Sequence, residues 1–272
     1  MAFSEEPKSA FQPGLSVVIP YYWGASHLER TLASVQAALA RTPVAYEVLI
    51  VDDSPNDPRL AELVDAGEVR LIRNATNLGI AAARNAGLRA ARYDTLHFLD
   101  QDDEISPLFY VETLRRLTPR CCAVLTNASI VKNGRSHIYF RPLFGGFLRW
   151  WLTDFRALKY HIYIKTMGQL VLSRNVAAPF VEIEEQGSDD QFAFARLLKT
   201  AKSRLKYHPH PLLIYHDHGE NYSYSADFDR SLAQGLLSHL GSAEAVRALS
   251  HLSWAERAVG WVARKCCVRP RA

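Results

Sequence analysis

Along the first hundred residues, short apolar runs alternate with segments whose apolar positions recur every three or four residues. Leu15 to Pro20 is an apolar run of strand length. Ser26, with Glu29 three positions on, predicts a capping box that opens a helix. Leu28, Leu32, Val35 and Leu39 give that helix an apolar stripe at helical spacing. Glu47 to Val51 and Val69 to Arg73 predict the second and third strands. Ile80 to Arg92, rich in Ala and Arg, predicts a second helix, and Thr95 to Leu99 a fourth strand. Ser106-Pro107 predicts a third helix, with Pro at its first position. Strand and helix in this alternation predict an α/β protein, a parallel sheet with helices on both faces.

The second half is less regular. Ala123 to Lys132 and Arg135 to Phe140 flank Asn133-Gly134, a strong hairpin signal. Gly168 to Leu172 and Leu212 to Tyr215 read as strands, Asp190 to Thr200 as a helix. From Asp229 the pattern is helical to the end. Between the hairpin and the next strand, Phe144 to Tyr163 carries Trp150, Trp151, Phe155, Tyr160 and Tyr163. Aromatic faces there suit stacking on a ligand ring and, about equally, core packing or an oligomer contact; with Arg149, Arg156 and Lys159 they also suit a membrane interface.

Composition narrows the classes. The chain has 272 residues, 48% hydrophobic and 22% charged, which excludes a disordered polymer and suffices for a full core. No apolar run reaches the roughly 18–20 residues of a spanning helix. Met1 to Phe11 holds Glu5, Glu6 and Lys8 and is not expected to be a secretory leader. Cys121-Cys122 and Cys266-Cys267 have neither metal-ligand nor disulfide-framework spacing, which fits a reducing, cytoplasmic setting. A net charge of +4 makes no case for nucleic acid.

Open parallel sheets bind ligands outside the carboxyl ends of their strands. Here the second strand ends in Asp52-Asp53, and the fourth in Asp100-Gln101-Asp102-Asp103. Each Asp alone suits a turn or helix cap. Five carboxylates at two strand ends of one sheet repel unless a cation joins them, and Mg2+ or Mn2+ with oxygen ligands is the usual remedy. Tyr21-Tyr22-Trp23-Gly24 stands where a dinucleotide fold places its glycine loop, which argues against a Rossmann oxidoreductase and a P-loop enzyme.

Four stretches in this order resemble family-2 glycosyltransferases. They are Leu15-Ser16-Val17-Val18-Ile19-Pro20-Tyr21-Tyr22, the run Glu47 to Ser54, the run Asn77 to Gly87, and Phe98-Leu99-Asp100-Gln101-Asp102-Asp103, which matches a D-x-D motif. The resemblance implies a GT-A fold: a Rossmann-like, mostly parallel central sheet with helices on both faces, here with a C-terminal helical tail. It implies a nucleotide-diphosphate sugar as donor, a UDP-sugar first among them, and a glycan or lipid-linked hydroxyl as inverting acceptor. Pro20, Tyr22 and Gln101 then fall within donor-contacting segments, Asp52 or Asp53 on the nucleobase, Asn77 and Arg84 on the nucleotide, and Asp100 near the ribose. Asp102 falls on the metal position, where a cation would offset the charge growing on the diphosphate leaving group.

Ser188-Asp189-Asp190 resembles the acidic motif that opens a helix in that family, and the register puts Asp190 on the catalytic base. Glu184 and Glu185 lie close by in sequence, and Asp189 and Asp190 suit a helix cap as well. Tyr215, His218 and Asn221 match a Tyr-x-x-His-x-x-Asn pattern that puts His218 on the metal or the diphosphate. His208, His210 and His216 read as structural or surface residues. After Glu256 the tail holds Arg264, Lys265, Arg269 and Arg271 and no acid, a pattern suited to packing on the domain or to peripheral contact with an anionic membrane. The expected division is residues 1–225 for the catalytic domain, with halves at about 15–110 and 111–225, and 226–272 for a helical extension. A nucleotidyltransferase and an inactive sugar-binding scaffold are the rival readings. The setting expected is surface polysaccharide or glycolipid assembly.

Overall fold

A computed structural model of the chain describes residues 11–54, 57–65, 69–139, 164–180, 189–190, 193–194, 197, 201 and 204–218. Within them run β1 (Gln12–Tyr21), α1 (Ala25–Leu39), β2 (Tyr46–Asp52), α2 (Pro58–Asp65), β3 (Val69–Arg73), α3 (Ile80–Ala90) and β4 (Tyr93–Phe98). Then follow β5 (Glu104–Ile105), α4 (Phe109–Leu114), β6 (Ala123–Lys132), β7 (Arg135–Ile138), β8 (Leu170–Ser173) and β9 (Leu205–Asp217). One sheet has the order β3-β2-β1-β4-β8-β6-β9-β5, with β7 paired to β6.

The first four strands pair in parallel throughout. Leu15, Val17, Val18 and Ile19 are all fully buried, so β1 is covered on both faces, as a parallel strand at the middle of an α/β sheet must be. Helix α3 packs on β1 and β2. Gly87 permits that approach, because a Cβ there would lie 2.2 Å from Cγ1 of Val18.

The second half adds strands of both senses. β8 runs antiparallel to β4 and β6, whereas β9 runs parallel to β6. β9 is longer than the Leu212–Tyr215 run visible in sequence, because Pro209 and Pro211 mask the pattern. Proline has no N–H to donate, and the register shifts around Asn127 opposite it. The Asn127 side chain fills that gap, donating from Nδ2 to the Pro209 carbonyl at 3.0 Å. The Asn133-Gly134 hairpin forms as expected, with φ 51° and 72° at the two turn residues.

Three local expectations are corrected. The Ser26–Glu29 capping box does not form, since α1 begins at Ala25 with Gly24 as its cap and no side chain caps it. The chain leaves β1 through a sharp turn at Trp23, φ 38°, and Gly24, φ 151°, so the helix starts as soon as that turn ends. The Gly24 carbonyl then accepts from the N–H groups of His27 and Leu28. Pro107 does not open α4, because Ser106 to Leu108 form a turn in which the Ser106 carbonyl accepts from Phe109 N at 2.8 Å. Pro58 opens α2 instead, a helix with only eight residues and no clear signal before it. Gly168 and Gln169 belong to a 3-10 turn ahead of β8. The expected helix from Asp229 and the aromatic stretch Phe144 to Tyr163 lie outside the described residues.

One core group predicts a pH effect. His97 in β4 is fully buried, with Nδ1 2.9 Å from the Tyr110 hydroxyl and Nε2 2.8 Å from the Gly168 carbonyl. A carbonyl can only accept, so Nε2 carries the proton, and Nδ1 accepts from Tyr110. Burial pushes the imidazole from 6.5 down to about 4. Between those values the unfolded chain binds the proton and the folded chain does not. Stability is therefore expected to fall as pH drops from 6.5 to 4, by up to about 3 kcal/mol. Urea melts at pH 7, 5.5 and 4.5 check this, and His97→Gln should flatten the slope. An equal slope in the variant assigns the acid sensitivity elsewhere.

Candidate active site

Strand direction gathers the site. β1, β2 and β4 are parallel, so Tyr21, Asp52 and the loop after Phe98 open on one edge. β8 runs the other way beside β4, which brings its leading residues Lys165 and Thr166 to that same edge. β6 is antiparallel to β8 and β9 parallel to β6, so β9 delivers Asp217 and His218 there too.

Asp100 is held from two sides. Its Oδ2 accepts from Thr166 Oγ1 at 2.7 Å and its Oδ1 from Arg84 Nη2 at 2.5 Å. Arg84 Nη1 donates at 2.6 Å to Oδ2 of Asp189. The guanidinium is 2% exposed and sits 5.5 Å from the Phe180 ring centroid. Burial by itself would lower its pKa, but Asp189, Asp100 and Asp190 outweigh it and keep Arg84 charged. Arg84 is therefore a buried cation that ties Asp100 to Asp189 behind the acidic loop.

The loop after β1 is clamped by Gln101. Its Oε1 accepts from Tyr22 N at 2.8 Å, and its Nε2 donates to the carbonyls of Tyr22 and Trp23 at 3.0 and 3.2 Å. Gly24 leaves room for this amide, since a Cβ there would meet Nε2 at 2.7 Å. Trp23 N donates to Ser54 Oγ at 2.7 Å. Tyr22 and Trp23 are each about half exposed above a buried Pro20, so aromatic surface lines the rim.

Asp52 and Asp53 have separate tasks. Both Asp53 oxygens are used by the segment before α3, accepting from Asn74 Nδ2, Leu78 N and Gly79 N at 2.7–3.1 Å. Asp53 thus shapes the loop that carries Asn77. Asn77 is exposed and its Oδ1 accepts from Gly79 N at 3.0 Å. Asp52 accepts from Ser54 N at 2.9 Å and lies 3.6 Å from Arg73 Nε. Burial raises its pKa.

Asp102 and His218 meet at the cleft edge, Oδ2 to Nε2 3.8 Å, with side chains 30% and 35% exposed. Burial, then Asp100, pushes the Asp102 carboxyl up to about 6. Two ligands each about 2.1 Å from an ion can lie up to ~4.2 Å apart, so this pair fits two positions of one divalent cation. Among the described residues, no set of three or more His, Cys, Asp or Glu side chains is arranged to hold an ion unaided. Imidazole with carboxylate suits Mn2+ better than Mg2+.

Helix α1 grips the acidic loop. Thr31 Oγ1 lies 2.7 Å from the Gln101 carbonyl and 2.8 Å from that of Asp103. Arg30 Nη2 donates to the Asp102 carbonyl at 3.2 Å. The His27 ring lies 4.8 Å from that of His218, which stacks on His216 at 6.0 Å. His216 in turn bonds Glu104 at 2.7 Å. His208 is buried 3.1 Å from Glu112 and away from the acidic loop.

Asp189 and Asp190 begin a helical stretch, the first buried and the second half-buried. Asp190 faces the charges of Arg84 and Lys165. Glu184 and Glu185 lie outside the described residues. Sequence reasoning missed Thr166, Lys165, Arg30 and Thr31. Arg30 and Thr31 look like ordinary helix positions, and Thr166 and Lys165 carry no signal beyond preceding a strand.

A parallel β3-β2-β1-β4 half with acids after β2 and β4, completed by an antiparallel strand and a second parallel pair, defines a GT-A-type α/β protein. Staphylococcus aureus TarS 1-349, solved in complex with UDP-GlcNAc, has this fold, with a TM-score of 0.60, 19% identity, and a match covering 89% of this chain and 73% of that one. The Glycosyl transferase family 2 model matches residues 16–178, and the chain belongs to that family. It is 36% identical over 113 residues to the succinoglycan biosynthesis protein ExoO of Rhizobium meliloti, covering 41% of this chain and 30% of that one. It is also 36% identical over 109 residues to the chondroitin synthase of Escherichia coli, covering 37% and 16%. The chain thus spans less than a third of the length of these two relatives.

Proposed function

We propose that this chain is an inverting glycosyltransferase that moves a sugar from a nucleotide diphosphate to a hydroxyl acceptor. The observation that carries the reading is the Asp102–His218 pair, 3.8 Å apart, beside an Asp100 locked by Arg84 and Thr166. Two partly exposed donors 3.8 Å apart suit a cation that also takes phosphate oxygens. Such a cation, Mn2+ or Mg2+, would stabilise the charge developing on the leaving diphosphate. Tyr22 and Trp23 offer aromatic surface for a base, and Asp52 and Asn77 offer acceptor oxygens and an amide beside it. Asp190 takes the proton from the attacking hydroxyl.

TarS was solved with UDP-GlcNAc, which supports a UDP-sugar donor. The names of ExoO and chondroitin synthase support a role in surface polysaccharide or glycolipid assembly. The acceptor is then a glycan or lipid-linked hydroxyl at the cytoplasmic side of a membrane. Among the described residues no helix is long and apolar enough to cross a membrane. The basic tail proposed to touch the surface lies outside them.

Asp102→Asn tests the reading. The carboxylate sits on a strand-end loop held by backbone contacts to Thr31 and Arg30, so the fold should survive. A panel of UDP-sugars with Mn2+ should raise the melting temperature of the native protein, because ligand at 100 times Kd adds about 2.7 kcal/mol. The variant should lose that metal-dependent rise. The same rise in both proteins would remove Asp102 from the metal.

A further inference from the structure

Glu104 on β5 is an acid just past the D-x-D run that the reaction as described does not use. One of its oxygens is shared by cationic or N–H groups from two elements. Arg30 Nε on α1 lies 2.9 Å from Oε1, and His216 Nε2 on β9 lies 2.7 Å from the same atom. A carboxylate only accepts, so Nε2 is the nitrogen of His216 that carries a proton there. Glu104 and His216 are both partly buried.

Each of these two partners leads to one half of the Asp102–His218 pair. Arg30 Nη2 donates to the Asp102 carbonyl at 3.2 Å, so the guanidinium spans from Glu104 to the backbone of the acidic loop. His216 stands two residues before His218, and their rings lie within 9° of parallel with centroids 6.0 Å apart. Its backbone N–H also reaches Asp103 Oδ1 at 3.4 Å. β5 itself is a weak tie. It has two residues and meets β9 only at Glu104–Ile214 and Ile105–Leu213. The spacing it must keep is tight. Asp102 Oδ2 and His218 Nε2 are 3.8 Å apart. Two ligand atoms on one ion reach at most ~4.2 Å, so a drift of roughly half an ångström takes the pair out of range.

We propose that Glu104 is a positioning residue for the metal, pinning α1 and β9 to one oxygen and so holding Asp102 and His218 at the spacing a single divalent cation takes. This rests on the reading of Asp102 and His218 as the metal pair. Groups behind the ligands orient them, and removing one typically costs about 10–100-fold in metal affinity.

The experiment titrates Mn2+ into the full chain with UDP and reads free Mn2+ by electron paramagnetic resonance. Glu104→Leu should weaken Mn2+ binding about tenfold or more. Glu104→Gln keeps an acceptor oxygen of the same reach and should recover most of that loss. His216→Phe keeps a ring beside His218 but has no N–H for Glu104, so it should weaken Mn2+ in the same sense. Joined with Glu104→Leu it should add less than its separate effect, because both break one junction. UDP affinity in EDTA should hold, and at saturating Mn2+ the kcat of sugar transfer should return to within about twofold of native. Asp102→Asn separates the two ways to fail. If Mn2+ binding survives Asp102→Asn, the metal reading fails and the role of Glu104 with it. If Asp102→Asn abolishes Mn2+ binding while Glu104→Leu and His216→Phe stay within about twofold of native, the role given to Glu104 is overturned. An equal loss of UDP affinity in EDTA overturns it as well, since the junction then merely supports the edge of the sheet. Should Glu104→Leu not fold, His216→Phe decides by the same limits.

Discussion

Asp190→Asn is expected to lower sugar transfer by about 10²–10⁴-fold or more, with donor affinity and melting temperature unchanged. Asn matches Asp in size and caps a helix start almost as well, so the change removes proton acceptance and little else. Asp190 is half-buried at the start of its helical stretch, facing Arg84 and Lys165. Those cations favour the carboxylate form that a base must have. Measuring kcat beside calorimetric donor binding separates the step from binding. Asp189→Asn gives the contrast. Asp189 is 3% exposed, with its carboxylate 2.6 Å from Arg84 Nη1. That variant should lose stability, so a fall in transfer there should come with a lower melting temperature. Full activity in Asp190→Asn, Asp189→Asn and the Glu184 and Glu185 variants alike would sink the inverting mechanism. A loss confined to Glu184 or Glu185 variants would move the base to those positions.

Arg84→Met should destabilise the fold by about 3–5 kcal/mol, because it strips a buried ion cluster of its cation. Arg84 is 2% exposed, and its two terminal nitrogens serve Asp100 and Asp189. Without the guanidinium, and among the described residues, Asp189 is a buried carboxylate with no cation in hydrogen-bond contact, and the Asp100 carboxylate keeps Thr166 Oγ1. In a chain of this size each kcal/mol lowers the melting temperature by roughly 2–4 °C, so a drop of about 10 °C is the expected reading. Arg84→Met with Asp189→Leu should recover part of it, since replacing both partners removes the stranded charge. A melting temperature within about 2 °C of the native value would show that the cluster carries no stability. Metal-dependent donor binding should weaken too, as Asp100 loses its anchor beside Asp102.

The amino-acid sequence by itself determined the alternating half of the fold and its acids. β1, β2, β3, α3 and β4 are legible because buried parallel strands are continuous apolar runs, and helices repeat every 3.6 residues. Asp52, Asp53, Asp100 and Asp102 are legible because they stand directly after such runs. The Asn133-Gly134 turn is legible because few dipeptides take positive φ twice. Local signals were less dependable where the chain had to turn. Ser26 caps nothing, since the tight exit from β1 ends at Gly24. Pro209 and Pro211 hid most of β9, because the fold tolerates them through an Asn127 side chain that is distant in sequence.

Only the tertiary structure decided what each acid does. Asp53 and Asp52 are neighbours in a motif, yet one ties a loop with both oxygens while the other flanks the cleft. Arg84 is the buried counter-charge of two acids, Asp100 and Asp189, which follow it by 16 and 105 residues. Thr166, Lys165 and His218 reach the site because β8 and β9 run in opposite senses through one sheet. Periodicity reports which face of an element is buried. The partner of a buried charge is set by strand order and direction, and these depend on pairings between segments more than a hundred residues apart.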